Sequence, residues 1–279
     1  MTGVLRKLAF GIFLTLGVVW IVAGAAQAAD RARVEAFLKV TGFDVAIDSI
    51  ALSAESAPDM LGVDSGEFGY EWRRTAEQVF DVALMRARAL DILEATLEDD
   101  LLDHAAAFYA SDLGMRLVAA ENDSHFADDT LKQDEGRALV ADMVQEASAR
   151  IEAFRRMNHA IDPNDIGPKA IQEIQIRFIL AASYAGVIEL RVDEAQLRAV
   201  LAENEGALRR DMAASALANA AYTYQDFTDE EVVAYADALE HPDMQVVYEL
   251  MNAVHFDVMM NRFEALATKL GQVQPSQEL

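Results

Sequence analysis

Apolar residues recur along this chain at helical spacing, and no run shows the period-two alternation that marks a strand or hairpin. A helix patterned this way has one face that must be covered by another helix. The expected fold class is therefore all-α, a helical bundle. Alanine-rich segments and only five prolines agree with it. The chain has no cysteine. Its helices must be held by burial alone, without disulfides, and thiol nucleophiles, thiol redox chemistry and thiolate metal sites are excluded.

The N-terminus has the pattern of an export signal. Arg6 and Lys7 precede an apolar run from Leu8 to Ala26, and Ala26-Gln27-Ala28 supplies the small-x-small pattern of a cleavage site. Residues 1–28 are expected to be a signal peptide cut after Ala28 or Ala29, and the protein is expected in the periplasm. The competing reading is an uncleaved anchor, since the run is close to the roughly 20 residues that span a bilayer. No further apolar run of that length follows. Without residues 1–28 the chain keeps 21 Lys+Arg against 47 Asp+Glu. So acidic a surface repels phosphate backbones and anionic lipid, and nucleic acid is not an expected partner.

Along the mature chain the spacing predicts a helix from Arg31 to about Ser53, bent near Gly42. A long loop is expected over 56–69, where turn-forming residues are dense. Trp72, Ala76, Val79, Phe80, Ala83, Leu84 and Ala87 mark one helical stripe. Longer helices are expected from Asp128 to Asn158, from Pro168 to about Leu190, and from Asp193 to about Gln225. Thr228 with Glu231 has the spacing of a capping box, and Pro242 opens a final helix that is apolar nearly all round. Residues 162–168 (DPNDIGP) form the strongest break, dividing a helical half over 29–161 from another over 168–270. Residues 271–279 are expected to be a disordered tail.

An offset of 130 residues superimposes part of each half. Asp99-Asp100 falls on Asp229-Glu230, Leu102 on Val232, Ala106 on Ala236, and Asn122 on Asn252. Both copies give an acidic start, a short amphipathic helix, a tight turn and a second helix, so two related halves containing helical hairpins are expected. Within the first copy, Phe108-Tyr109-Ala110-Ser111-Asp112-Leu113-Gly114 resembles the Phe-Tyr-x-Ser-x-x-Gly pattern of the domain-of-unknown-function family numbered 2059. Glu231-Val232 followed by Leu239-Glu240-His241-Pro242 is a degenerate second copy, without the aromatic pair and with Met244 in place of the glycine. The resemblance implies an exported bacterial all-α protein with no established activity. It transfers no catalytic residue. Physically, Phe108 and Tyr109 would plug the hairpin, Ser111 would cap the next helix and Gly114 would permit close approach. Glu231 and Pro242 open the two helices of the second copy.

Sites of chemistry are sparse. Asp162, Asn164, Gly167 and Glu173 match positions 1, 3, 6 and 12 of a calcium loop, but Ile166 replaces a ligand and Lys169 adds an opposing charge. The clusters Glu98-Asp99-Asp100 and Asp229-Glu230-Glu231 suit helix N-termini. Of the five histidines, His104 follows Asp100 and His241 follows Asp237 at i, i+4, and these pairs would form one site only if the halves faced each other. No paired-ligand, nucleophile-elbow or phosphate-loop motif is present. No catalytic, cofactor or metal site is expected. The leading expectation is a non-catalytic interaction or adaptor protein docking on an envelope protein. The alternative is a carrier sheltering a small apolar ligand between the halves, and a weaker one is a hydrolase of unidentified residues.

Overall fold

The computed structural model describes residues 30–62 and 65–272, the side chains of 65–71 excepted. The expected signal segment, and the expected tail from 273 onward, lie outside these residues. The described chain is helical, without strands: α1 (Arg31–Thr41), α2 (Phe43–Ser49), a 3-10 segment (Ile50–Ser56), α3 (Ala57–Leu61), α4 (Ser65–Val79) and α5 (Val82–Thr96) come first. They are followed by α6 (Asp99–Tyr109), α7 (Asp112–His125), α8 (Asp129–Gln145), α9 (Arg150–Ile161) and α10 (Gly167–Tyr184). The chain ends with α11 (Glu194–Glu203), α12 (Glu205–Thr223), α13 (Asp229–Leu239) and α14 (Pro242–Leu270). The all-α bundle expected from the periodicity is the fold. No helix among the described residues is long and apolar enough to cross a membrane.

Several expected helices are divided. Gly42 takes a left-handed conformation, φ 76°, so α1 ends there and α2 leaves in a new direction. The stripe that begins at Trp72 is cut after Phe80, because Asp81 turns extended and accepts the Leu84 amide as the N-cap of α5. Leu84 is consequently half exposed, although the pattern assigned it to the core. The segment expected as a loop over 56–69 instead carries α3 and the start of α4. Pro58 sits in the first turn of α3, where its missing amide costs nothing. Ala147, at φ 51°, separates α8 from α9, and Asn204 separates α11 from α12.

One apolar core runs from Val34 in α1 to Leu270 at the end of α14. It draws on residues from both sides of the 162–168 break. Its axis is α14, which buries Met244, Val247, Met251, Val254, Val258 and Phe263 while touching α4, α5, α6, α9 and α10. Phe263 packs against Phe80 at 5.3 Å and Phe178 at 5.1 Å between ring centroids. α8 lies along α12, and α9 along α13. A smaller cluster of Ile176, Ile179 and Leu197 joins α10 to α11.

Helices α6 and α7 form a hairpin whose two-residue turn is Ala110-Ser111, and α13 and α14 form another with Glu240-His241. The Ser111 hydroxyl accepts the Gly114 amide at 3.1 Å and so caps α7. A Cβ on Gly114 would stand 2.3 Å from the Phe108 carbonyl oxygen and 2.6 Å from Tyr109 Cα, both backbone atoms that cannot swing aside. Gly114→Ala is therefore expected to lower stability by about 1–3 kcal/mol, as overpacking does. Urea unfolding followed by circular dichroism checks this, and a midpoint equal to that of the parent protein would refute it.

Candidate functional site

Near the C-terminal end of α7 stands Glu121, a carboxylate largely enclosed by the bundle. Two tyrosines donate to the same carboxylate oxygen, Oε1: Tyr224 at 2.7 Å from the end of α12, and Tyr235 at 2.8 Å from α13. The Tyr235 hydroxyl lies 2.9 Å from that of Tyr109 in α6 and 3.2 Å from that of Tyr248 in α14, and the Tyr109 and Tyr248 hydroxyls bond each other. Four phenols and one carboxylate from five helical elements thus form a single network. Burial raises the pKa of Glu121, and the two tyrosine bonds pull the other way. Burial also lifts Tyr109, Tyr224 and Tyr235 well above the usual phenol value, with Glu121's charge adding to it, and moves Tyr248 upward for the same reasons. The phenols are held protonated, as donors.

The network forms part of the wall of a cavity of about 650 Å³ bordered by α2, α7, α8, α9, α12, α13 and α14. Glu121 is surrounded by protein yet keeps some accessible surface, because it borders this space. Phe43, Ile47, Met157, Ile161, Met251 and Phe256 supply an apolar lining. Four amide side chains interrupt it: Asn122, Asn158, Asn219 and Asn252. Asn252 donates to the Ile161 carbonyl at 2.7 Å, and Asn219 accepts from Gln133 at 2.7 Å. The Oδ1 of Asn122 is buried without a hydrogen-bond partner. An unpaired amide oxygen is costly in a native interior, and exchanging its oxygen and nitrogen would leave an unpaired donor instead.

Two histidines complete the lining. Burial lowers His255 to about 4, with nearby His125 adding to the shift, and burial with Lys132 lowers His125. Both imidazoles are neutral at pH 7 and offer one donor and one acceptor each. Lys132 is nearly buried, pairs with Asp129 at 2.9 Å and donates to the Ser124 carbonyl at 3.3 Å. The cavity therefore joins an apolar surface to a set of hydrogen-bonding groups. Behind the lining, the Ser49 hydroxyl lies 3.4 Å from His125 Nδ1.

The residues singled out in the sequence fall unevenly around this site. Tyr109 is fully buried, but its hydroxyl belongs to the Glu121 network, so it does more than plug the hairpin. Phe108 stacks on Tyr235 at 5.8 Å. Ser111 and Gly114 shape the turn of the first hairpin. Glu231 closes a capping box with Thr228 and pairs with Arg116 of α7, and Pro242 is the first residue of α14. In the calcium-like loop, Asp162 accepts the Ile166 and Gly167 amides at 2.9 Å each, one on each oxygen, which satisfies the first amide of α10. The acidic clusters occupy the first turns of α6 and α13. His104 and His241 do meet, but with Asp243 rather than with Asp100 or Asp237. Glu121, Tyr224, Tyr235, Tyr248, His125 and His255 were not singled out. One signal was available: the 130-residue offset that aligns Asn122 with Asn252 also aligns His125 with His255.

Two outcomes follow. Tyr235→Phe removes the hydroxyl that links Glu121 to Tyr109 and Tyr248 while keeping the ring, and is expected to cost about 1–3 kcal/mol in chemical denaturation. An unchanged unfolding free energy would show that the network carries no stability. The second concerns pH. Between about pH 6.5 and pH 4 the unfolded chain protonates His255 while the folded chain resists. Stability therefore falls as pH drops through that window, by up to about 3 kcal/mol from this group. The groups around it, His125 of α7, Lys132 of α8 and Glu121, offer it no dedicated counter-ion. His255→Gln is expected to flatten the stability–pH curve over that interval, and a slope identical to the parent's would refute the assignment.

Comparison with known proteins bears on one segment. No curated protein and no solved structure is significantly similar to the chain. A family model described as an uncharacterized protein conserved in bacteria, the domain of unknown function 2059, matches residues 84–142. The match spans the body of α5, the whole α6–α7 hairpin and most of α8. It contains Glu121, Asn122, His125 and Lys132, so one wall of the cavity falls within the family segment.

Proposed function

We propose that this protein binds a small amphiphilic molecule in the cavity beside Glu121 and acts as a carrier or sensor of it outside the cytoplasm. The carrying observation is the cavity itself. A bundle whose only task is to present outer faces gains nothing from a cleft of about 650 Å³, open on one side, that reaches a carboxylate among its helices. Pockets of this size take molecules of a few hundred daltons, on the order of 20–30 non-hydrogen atoms. The apolar lining suits a hydrocarbon or aromatic body. The Glu121 carboxylate, which borders the space, favours a head group that donates hydrogen bonds. The exposed large apolar residues, such as Met115, Phe126, Val144 and Tyr184, are spread over several helices, which gives the adaptor reading less to stand on.

The export reading and the internal duplication belong to the same proposal. Supporting duplication, α6 and α13 begin and end at the same offset of 130 residues, as do the starts of α7 and α14. Each copy then brings an Asn-x-x-His tetrad, Asn122 to His125 and Asn252 to His255, to the cavity lining. A duplicated hairpin that places the same polar tetrad twice around one space is a simple route to a binding site.

The experiment is native mass spectrometry of the mature protein isolated from its own compartment, together with an Ala216→Phe variant. Ala216 lines the cavity from α12 and is not in the buried core cluster, so the phenyl group fills space rather than displacing core. A reproducible added mass on the parent protein, lost in a variant that retains the parent's circular dichroism spectrum, is the expected result. A parent protein that carries no added mass and takes up none from a lipid and metabolite extract of the same cells would overturn the reading.

A further inference from the structure

Where the two hairpins touch, at some remove in the fold from the Glu121 network, α6 presents His104 and the turn into α14 presents His241 and Asp243. We propose that these three residues bind one divalent transition-metal ion of the zinc type, which would tie the first hairpin to the second. One ligand atom from each lies within 4.8 Å of the other two. His104 Nδ1 is 4.0 Å, and His241 Nδ1 3.7 Å, from the same carboxylate oxygen, Asp243 Oδ2. The two imidazoles stack with centroids 4.2 Å apart and planes 26° apart, so both ring edges approach one carboxylate.

Zinc bonds of about 2.0–2.1 Å in a tetrahedral arrangement set neighbouring ligand atoms roughly 3.3 Å apart. The two imidazole–carboxylate separations exceed this by less than about 1 Å and the imidazole–imidazole one by at most about 1.5 Å, within reach of χ rotations. The side chains have room to make them, being 31%, 49% and 53% exposed for His104, His241 and Asp243. Rotation is also needed because two stacked rings cannot both point their in-plane lone pairs at a single ion. The Asp243 amide contact to His241 Nδ1 is long, 3.3 Å, and gives way at little cost. Two imidazoles and one carboxylate, without thiolates, suit zinc, copper or nickel better than calcium or magnesium. Three protein ligands leave a fourth position for water or for a donor from a partner. The positive end of α14 opposes a cation here, and the Asp243 charge, within a chain of net charge −24, offsets it.

This inference does not depend on the cavity reading and is tested separately. The full mature protein, purified without a histidine tag and stripped with a chelator, is titrated with zinc chloride against a chromophoric competitor. One equivalent is expected to bind, and His104→Ala and Asp243→Asn are each expected to weaken it by at least about tenfold. Asp100→Asn, on the same helix but outside the trio, is expected to leave it unchanged. To separate loss of a ligand from disturbed packing, the imidazole resonances of His104 and His241 are followed by NMR during the same titration of the parent protein. Both should shift in proportion to bound zinc. The proposal is overturned if no stoichiometric binding occurs, if both variants bind as the parent does, or if the two imidazoles do not respond.

Discussion

A carboxylate enclosed, though not sealed, within the bundle constrains how the surrounding helices pack. A charge taken from water into a protein interior costs several kcal/mol unless donors surround it. Glu121 meets that demand with hydroxyls that converge from α12 and α13, and through Tyr235 the bonding extends to α6 and α14. Five helical elements can satisfy the network only when all are docked, and a partly satisfied polar core is worse than none. The geometry of the bundle around the cavity, including the approach of α13 and α14 to α7, is thereby coupled to one residue. The apolar core supplies most of the driving force. The network selects which packing of that core is acceptable.

A second constraint comes from charge. With 47 acidic residues against 23 basic ones, repulsion opposes compaction, and the arginines are deployed where helices meet. Arg88 of α5 grips Asp257 of α14 at 2.6 Å and 3.1 Å, and Arg33 of α1 bridges Asp99 and Asp103 of α6. Arg156 of α9 holds Asp237 and Glu240 at the end of α13, and Arg116 of α7 holds Glu231 at its start. Each such pair is worth little in isolation because the groups are partly solvated. Their value is positional. They place scarce cations between helices that would otherwise face each other with like charge, and the guanidinium fork fixes orientation where two oxygens are engaged.

The fold class was legible because helical periodicity is a local property, and the caps at Ser111 and Thr228 and the helix start at Pro242 were legible for the same reason. The breaks at Asp81, Ala147 and Asn204 were not. The apolar stripe continues in register through Ala83 and Leu84, so nothing local separates one helix of 72–87 from two helices that turn at Asp81. Composition misled in the other direction at 56–69, where proline and glycine punctuate short helices rather than a loop. Glu121 was invisible for a deeper reason. In Ala-Glu-Asn-Asp-Ser-His it looks like the solvated end of a helix, and the residues that bury it lie 103, 114 and 127 positions later, at Tyr224, Tyr235 and Tyr248. Local pattern carries no information about such pairings.

The 130-residue offset did carry some, and its uneven strength is informative. At that offset Asn122 aligns with Asn252 and His125 with His255, whereas Glu121 aligns with Met251. Two of the four phenols donate to the one carboxylate, and the other two bond to Tyr235. A second carboxylate within the same space would face like charge at close range, and one of the two would have to stay protonated. The methionine therefore fits as the apolar answer to the glutamate, contributing to the lining beside a polar group that does not need repeating. The asymmetry leaves a carboxylate on α7 where α14 presents a thioether, while Asn252 and His255 keep α14 partly polar.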